Sequence, residues 1–393
     1  MENNLQSLSM PYKDLAVLRA YPSLGVSAKF KSVAEDFIVE EQVPIEFSGE
    51  GEHCWLYIQK RECNTDWVAQ KLADFCGVKR MAVSYAGLKD RHAVTSQWFS
   101  VHLPGKPTPD WQAFASQFLV ESSGNNTREG QAKDSEESIS IIESVRHNRK
   151  LQRGALKGNR FCITLRDLSD SSDHTFNQLQ QRCEKIASRG VPNYFGDQRF
   201  GRAYSNLEQA EKMFQRRRNR LSKHKRGLYL SAARSWLFNR ILCERVARGT
   251  WDKQMDGDAF MLDGRSACFR SEVDMDDSKQ ADSNADEARR ELDDRLIRKE
   301  IHPTAILWGE GDTMVSAEAK ELEMGLIDQY RVLRDGLVAA RVKAMRRACR
   351  VIPGGMRGER VEDNFVVCFE LPAGSYASVV MAEIFSDLIE PYR

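Results

Sequence analysis

Short stretches in which apolar and polar positions alternate dominate the first hundred residues, the pattern of half-buried strands. Phe37-Ile38-Val39 and Trp55-Leu56-Tyr57-Ile58 add the β-branched and aromatic side chains that strands favour. The period then becomes helical over residues 66–76. Val68, Leu72 and Phe75 share a face there, Asn64 or Thr65 can cap the helix, and Gly77 can end it. Strands are expected again from Val83 to Tyr85 and from Gln97 to His102, joined by the loop Gly87-Leu88-Lys89-Asp90-Arg91-His92. Two more are expected near Ile139–Ile142 and Phe161–Leu165. A helix is expected over 173–189, opened by Asp173, with Phe176, Leu179, Cys183 and Ile186 on one face and Gly190 after it.

Beyond Gly190 the spacing is mainly helical. Residues 205–215 and 230–248 repeat apolar positions three and four apart, as in Leu230, Ala233, Leu237 and Ile241. Residues 121–138 are polar and read as an exposed loop, and the acidic stretch 271–294 reads as a solvated loop leading into a helix. Strand pattern returns with Asn364-Phe365-Val366-Val367-Cys368-Phe369, followed by Leu371-Pro372-Ala373-Gly374 and a short apolar helix from Ser378. The expected fold is α+β: a mixed, mainly antiparallel-sheet domain made of 1–189 and 352–393, interrupted by a mainly helical insertion over 190–351.

Composition adds bounds rather than identity. The chain has 393 residues, 41% of them hydrophobic, enough for the cores of two domains. No run approaches the roughly 18 apolar residues of a membrane span, and the N-terminus lacks a basic-then-apolar signal, so a soluble, cytoplasmic protein is expected. Nine cysteines stand singly, without a C-x-x-C pair, and neither a zinc site nor a disulfide framework is expected.

A net charge of +1 hides three basic clusters. Residues 216–226 hold seven Lys or Arg, including Arg216, Arg217 and Arg218. Residues 146–160 hold six, and 341–350 hold five. Such clusters suit phosphate neutralisation, although a solvated helix face balanced by acids explains them equally well. The segment from Gly190 to Arg202 interleaves Tyr194, Phe195 and Phe200 with Arg199 and Arg202 on a glycine-rich frame. Aromatic faces and guanidinium planes are what holds an unstacked base and its phosphates, while a hinge anchored by its aromatics has the same composition. Asp90 sits in a tight inter-strand loop, where aspartate is commonly a turn former. Presented to a pocket among Lys89, Arg91 and His92, its carboxylate can instead act as nucleophile or base. No phosphate-binding glycine loop, G-x-S-x-G or H-E-x-x-H occurs.

The segments GLKDRHAVTSQ, GALKGNRF, GVPNYFGDQRFG, SAARSWLFNR and LPAGSYAS, in this order, resemble the TruD family of tRNA pseudouridine synthases over nearly the whole chain. The resemblance implies a pseudouridine synthase catalytic domain interrupted by an inserted TRUD domain. It places the catalytic aspartate at Asp90 and its basic partner at Lys31, an ion pair that would keep the carboxylate ionised. It places uracil-pocket residues at Asn159 and Phe161, with further aromatic walls at Phe37 and Tyr376. The implied reaction isomerises a uridine of tRNA, by family habit position 13 of the D-stem, to pseudouridine. It needs no metal or organic cofactor and no obligatory protein partner, and a monomer suffices. Arg199, Arg202 and Arg216 to Arg218 are the expected RNA contacts. Two other readings fit parts of the chain. A non-catalytic RNA-binding protein would keep the fold without needing Asp90. A glycoside or nucleoside hydrolase would need a second carboxylate beside it, for which Glu35, Asp36 and Asp197 are the candidates by motif.

Overall fold

The computed structural model describes residues 17–118, 137–215, 221–270 and 279–390. The chain forms two compact units. One comprises Leu24–Ser188, Pro353–Gly374 and the segment from Ile384; the other comprises the segment ending at Ser23, Arg189–Ile352 and Ser375–Glu383.

The sheet unit opens with β1 (Ser27–Phe30), β2 (Phe37–Gln42) and β3 (His53–Arg61), then α1 (Thr65–Phe75), β4 (Val83–Tyr85) and β5 (Val94–His102). It continues through α2 (Trp111–Ser116), β6 (Ser138–His147), β7 (Gly158–Arg166) and α3 (Asp173–Arg189). In β2 the buried and half-buried positions alternate, with Phe37 and Val39 facing the core. In β5 the residues between its ends are all buried, as a strand covered on both faces must be. α1 closes one face: Val68, Ala69 and Leu72 pack with Phe99, Val101 and Phe114 in one apolar cluster. Asp110 caps α2 by accepting from the backbone N–H groups of Gln112 and Ala113. Residues 121–136 of the expected polar loop lie outside the described residues.

The chain then enters the second unit. Its helices are α4 (Ser205–Gln215), α5 (Lys223–Ala247), α6 (Lys279–Ile297), α7 (Ala317–Ile327) and α8 (Arg331–Ala339). Between them run β8 (Val191–Pro192), β9 (Ala259–Leu262), β10 (Cys268–Arg270), β11 (Ile301–Leu307), β12 (Met345–Ala348) and β13 (Arg350–Val351). The expectation that strand pattern would return only at Asn364 is corrected here. β10, β9, β11 and β12 form a four-stranded antiparallel sheet. β11 is buried along nearly its whole length, so its sequence does not alternate, and Pro303 and His302 interrupt its apolar run. The long α5 buries Ala233, Trp236, Leu237, Phe238 and Ile241 in the core of this unit.

Two ion pairs lie inside that core. Arg245 meets Asp258 at 2.7 Å with side chains 2% and 0% exposed, and Arg346 meets Glu323 at 2.6 Å with both 3% exposed. Arg346 also donates to the Thr304 hydroxyl and carbonyl, and Glu323 accepts from Ile306 N–H. The basic cluster 341–350 is therefore largely structural: Arg346 and Arg350 are buried, and Arg350 donates to the carbonyls of Leu296 and Ile301. Removing Glu323 leaves a buried guanidinium with no carboxylate partner. Glu323→Ala is expected to cost about 3–5 kcal/mol, read as a lower urea midpoint at unchanged slope; a shift under about 0.5 kcal/mol would mean that the pair does not hold this core.

β14 (Gly354–Val361) and β15 (Asn364–Pro372) return to the first unit, α9 (Ala377–Ala382) belongs to the second, and β16 (Asp387–Ile389) ends the described chain in the first. Ten strands form the large sheet in the order β14-β15-β7-β2-β5-β3-β6, with β1 between β7 and β16 and with β4 on β5. Pairing is antiparallel except for β2 with β5 and β1 with β16. β7 holds the centre, bonded to β2 on one side and β15 on the other. Gly158 begins it where the two backbones nearly touch: a Cβ there would lie 2.3 Å from the Leu371 carbonyl oxygen.

Register also joins two cysteines expected to stand alone. Cys162 and Cys368 are directly opposed across β7 and β15, their Cα atoms 4.2 Å apart, and their sulfurs are bonded. Their 206-residue separation hides this from any spacing rule. The segment Ser375–Glu383 departs from the simple split at 351/352. It packs with the second unit because the Glu383 carboxylate accepts from the N–H groups of Ala20 and Tyr21, at 3.0 and 3.1 Å. No helix among the described residues is long and apolar enough to cross a membrane.

Candidate active site

Asp90 sits in the loop that turns from β4 into β5, and that loop is fastened from below. Lys60 is wholly buried, in the inward parity of β3 shared by Leu56 and Ile58. Its Nζ donates to the backbone carbonyl of Asp90 at 2.8 Å and to that of Cys63 at 2.6 Å. Burial pushes this ammonium down to about 8. Thr65 Oγ1 accepts from Lys89 N–H and donates to Gln97 Oε1, while Gln97 Nε2 donates to the Gly87 carbonyl. His92 Nδ1 lies 2.8 Å from Glu62 Oε2, and Arg91 donates to the Glu62 carbonyl and to Glu137. The backbone of the loop is thus held while the Asp90 side chain, 58% exposed, points to solvent.

Lys31 follows β1 with φ at 57°, a left-handed conformation that costs a non-glycine residue energy. Its Nζ reaches to 3.7 Å from Asp90 Oδ1 and lies 4.1 Å above the centre of the Phe37 ring. Phe37 meets Phe161 at 6.2 Å, and Phe161 stacks on Phe369 at 5.5 Å with 28° between the planes. Phe161 is therefore held in place by a second ring behind it. Asn159, two residues earlier on β7, accepts a hydrogen bond at Oδ1 from Lys89 Nζ at 2.7 Å. Lys89 in turn stands 3.7 Å from the buried Glu41 carboxylate. Burial raises the Glu41 carboxyl and lowers the Lys89 ammonium, and their mutual attraction opposes both shifts.

Five of the six expected pocket residues are gathered in the sheet unit by this chain of contacts: Asp90, Lys31, Phe37, Asn159 and Phe161. The sixth, Tyr376, belongs to the other unit. There its hydroxyl accepts from Arg199 Nε at 2.9 Å, and its ring meets Phe195 at 6.0 Å. Arg347 lies 4.2 Å over the Phe195 ring, and burial lowers its guanidinium to about 10. Gly196 packs closely beside this group: a Cβ there would lie 3.0 Å from the Tyr376 ring and from the Ser378 hydroxyl. Arg202 is exposed. Arg216, Arg217 and Arg218 lie outside the described residues.

Lys60 and Glu41 are not expected at the site from the sequence, and Lys89 is expected only as a charged neighbour of Asp90, not as a partner of Asn159. Lys60 did carry a signal, a charge on the inward parity of an apolar strand. The contacts of Lys89 and Glu41 carried none without the β2–β7 register that sets Glu41 opposite Asn159.

The carboxylates needed for a hydrolase are accounted for elsewhere. Asp36 is buried against Arg166 and Glu35 pairs with Arg61. Asp197 belongs to the other unit, where it accepts from the Tyr204 hydroxyl.

The model of the tRNA pseudouridine synthase D (TruD) family matches residues 18–207 and 204–384. A tRNA pseudouridine synthase D of Methylococcus capsulatus is 42% identical over 367 residues, 93% of each chain. One from Hydrogenovibrio crunogenus is 38% identical, over 94% of this chain and 96% of that one. A crystal structure of a tRNA pseudouridine synthase D from Methanosarcina mazei, 21% identical, superposes with a TM-score of 0.65 over 95% of this chain and 97% of the other, a likeness of fold. With its matched residues spanning nearly the whole sequence, the chain belongs to the TruD family of pseudouridine synthases.

Proposed function

We propose that this protein isomerises uridine 13 in the D-stem of tRNA to pseudouridine, with Asp90 as the nucleophile. The observation that carries the reading is the Asp90 loop itself: an accessible carboxylate on a backbone pinned by a buried lysine, with a second lysine ammonium 3.7 Å from its oxygen. A turn-forming aspartate needs neither lysine.

The target nucleotide is extruded from the RNA stack, at a cost of a few kcal/mol recovered by stacking and hydrogen bonds. Phe161, backed by Phe369, offers a fixed edge to the pyrimidine. Because Lys89 occupies the carbonyl side of the Asn159 amide, the Asn159 N–H groups are left to meet a uracil carbonyl. Asp90 attacks the nucleoside, at the ribose C1′ or by another route, and the C1′–N1 bond breaks. The uracil turns and C5 bonds to C1′ as the Asp90 oxygen is released; the proton lost from C5 is matched by one gained at N1. No group is lost, so substrate and product have the same atoms and the reaction calls for no redox or group-transfer partner. Excluding water from the open sugar protects it from hydrolysis.

Phosphate contacts set RNA affinity, and Arg199 and Arg202 are assigned to them. Lys223, Lys225 and Arg226, all exposed at the start of α5, extend the same basic cluster as Arg216 to Arg218. Neutralising all three described cations is expected to weaken tRNA binding and to flatten its salt dependence by about 2–3 in slope. An unchanged slope would take this surface out of the RNA contact.

The direct test is carbodiimide modification and primer extension on tRNA incubated with the protein. A new stop at D-stem uridine 13 is expected; a stop elsewhere would overturn the position, and no stop on any tRNA would overturn the activity.

A further inference from the structure

Away from the Asp90 loop, the sheet unit has a concavity of about 360 Å³, within the size range of sites that hold a small ligand. It lies at the other end of β3 and β5. Asp90 precedes β5 by four residues, whereas the cavity is lined by His102, the last residue of β5, and by His53, the first of β3. At about 3.3 Å per strand residue the eight steps from Val94 to His102 span about 26 Å, so the cavity stands at the far end of these strands from the Asp90 loop.

Its lining joins two kinds of chemistry. Val78, Met81 and Pro104 are apolar members of the lining, and Lys79 and Lys150 are its two basic members. His53 and His102 are cross-strand partners whose rings stack at 4.6 Å with 23° between the planes. Glu52 Oε2 lies 3.3 Å from His102 Nε2 and fixes that ring, and Lys150 Nζ donates to the Met81 carbonyl at 3.1 Å. Burial, together with the nearby His102 and Lys150, lowers the His53 imidazole and so favours a flat neutral ring at neutral pH. The Met81 side chain is 76% exposed at the rim, an apolar surface that water covers at a cost.

A simple inorganic anion has no use for the apolar members, and an apolar ligand has no use for two lysines. A metal ion is disfavoured as well: no group of three His, Cys, Asp or Glu fit to hold one occurs among the described residues. A nucleotide uses all of the lining, since a base stacks on imidazole or thioether surfaces and its phosphate takes the ammonium groups.

We propose that this cavity binds one nucleotide of the RNA substrate, remote from the target uridine, with its base beside the His53–His102 pair and its phosphate between Lys79 and Lys150. The inference rests on the reading of this protein as a tRNA-modifying enzyme. It adds a second point of attachment that fixes how far along the RNA the target lies. On a stacked strand rising about 3.4 Å per nucleotide, 26 Å corresponds to about eight nucleotides.

The test uses the full chain carrying Asp90→Asn, so that binding is read without turnover and a failure of the catalytic reading leaves this result intact. Lys79→Gln with Lys150→Gln, both at exposed positions, is expected to raise the Kd for tRNA about 10-fold and to flatten the salt slope by about 1–2. His102→Ala is expected to raise Kd as well, at an unchanged salt slope, because stacking releases no counterions. A short RNA with about four nucleotides on either side of the target cannot span the distance estimated from the strand rise, and its Kd should not change in either variant. With Asp90 restored, the single-turnover rate at saturating tRNA should match the parent. Unchanged tRNA affinity in both variants, or an equal loss on the short RNA, overturns the proposal. Binding of uridine 5′-monophosphate that is abolished by the lysine changes while tRNA affinity is untouched overturns it too, assigning the cavity to a free nucleotide.

Discussion

Asp90→Asn is expected to lower pseudouridine formation by roughly 10⁴-fold or more while tRNA affinity stays within a few-fold. The substitution keeps the shape of the side chain and removes the anionic oxygens that can bond to the sugar. It leaves the loop in place, because Lys60 grips Asp90 through its backbone carbonyl, which the change does not touch. Binding is expected to survive because affinity for RNA rests on cationic contacts to phosphate, which this substitution does not remove. Primer-extension mapping and filter binding on the same tRNA separate the two effects. Full activity in this variant would remove the central claim. Release of free uracil by the wild-type protein would instead mean that water traps the activated sugar, and the reaction would be a hydrolysis.

The second large effect concerns a residue that never meets substrate. Lys60→Met is expected to reduce kcat by about 10²-fold, the scale on which a displaced catalytic group is penalised, with a much smaller change in KM. Methionine fills the volume, but the carbonyls of Asp90 and Cys63 lose their donor, and the loop is free to shift the carboxylate away from Lys31. Arginine does not restore the function, because a fork of five donors does not fit where one ammonium meets two carbonyls. A structural role alone would lower stability and leave kcat of the folded fraction intact, so the rate must be measured per folded molecule.

Lys60 also has a signature in the pH dependence of stability. Its ammonium is lowered to about 8, against about 10.4 in an unfolded chain. Between those values the unfolded state holds a proton that the folded state has shed, so the contribution of Lys60 to stability rises with pH across that window. Lys60→Met removes the rise. An identical pH–stability curve for the two proteins between pH 8 and 10 would mean that this lysine is not desolvated.

Much of this architecture can be read from local pattern. α3 and α4 coincide with the expected ranges 173–189 and 205–215, because a one-faced apolar stripe between clear start and stop residues is written wholly in local sequence. β2, β3 and β7 are legible for the same reason. What escaped depends on contacts between distant residues. β11 is buried along nearly its whole length, so it has no alternation to detect, and β14 opens with Gly354-Gly355, which reads as a turn until its pairing with β15 is known. The cluster 341–350 has the composition of an RNA surface, yet Glu323, reaching from α7, turns Arg346 of β12 into a core residue. At the site, Asp90 by itself is an ordinary loop aspartate. The family motifs single it out, and Lys60 shows how its loop is held.

The central position of β7 has a consequence for how this chain is made. Its partner β15 begins at Asn364, about two hundred residues after Gly158, with the whole of the second unit's main segment between them. During synthesis the ribosome delivers β7 with one edge unpaired and must complete that intervening segment before the missing strand exists. Pairing so remote in sequence closes slowly, since the loop entropy comes before any contact is gained. The stretch of β7 that carries Asn159 and Phe161 therefore keeps an open edge until β15 is made, and Phe161 gains the ring behind it only when Phe369 arrives. A nascent chain stalled before residue 364 holds the Asp90 segment but lacks the strand that closes this edge of β7.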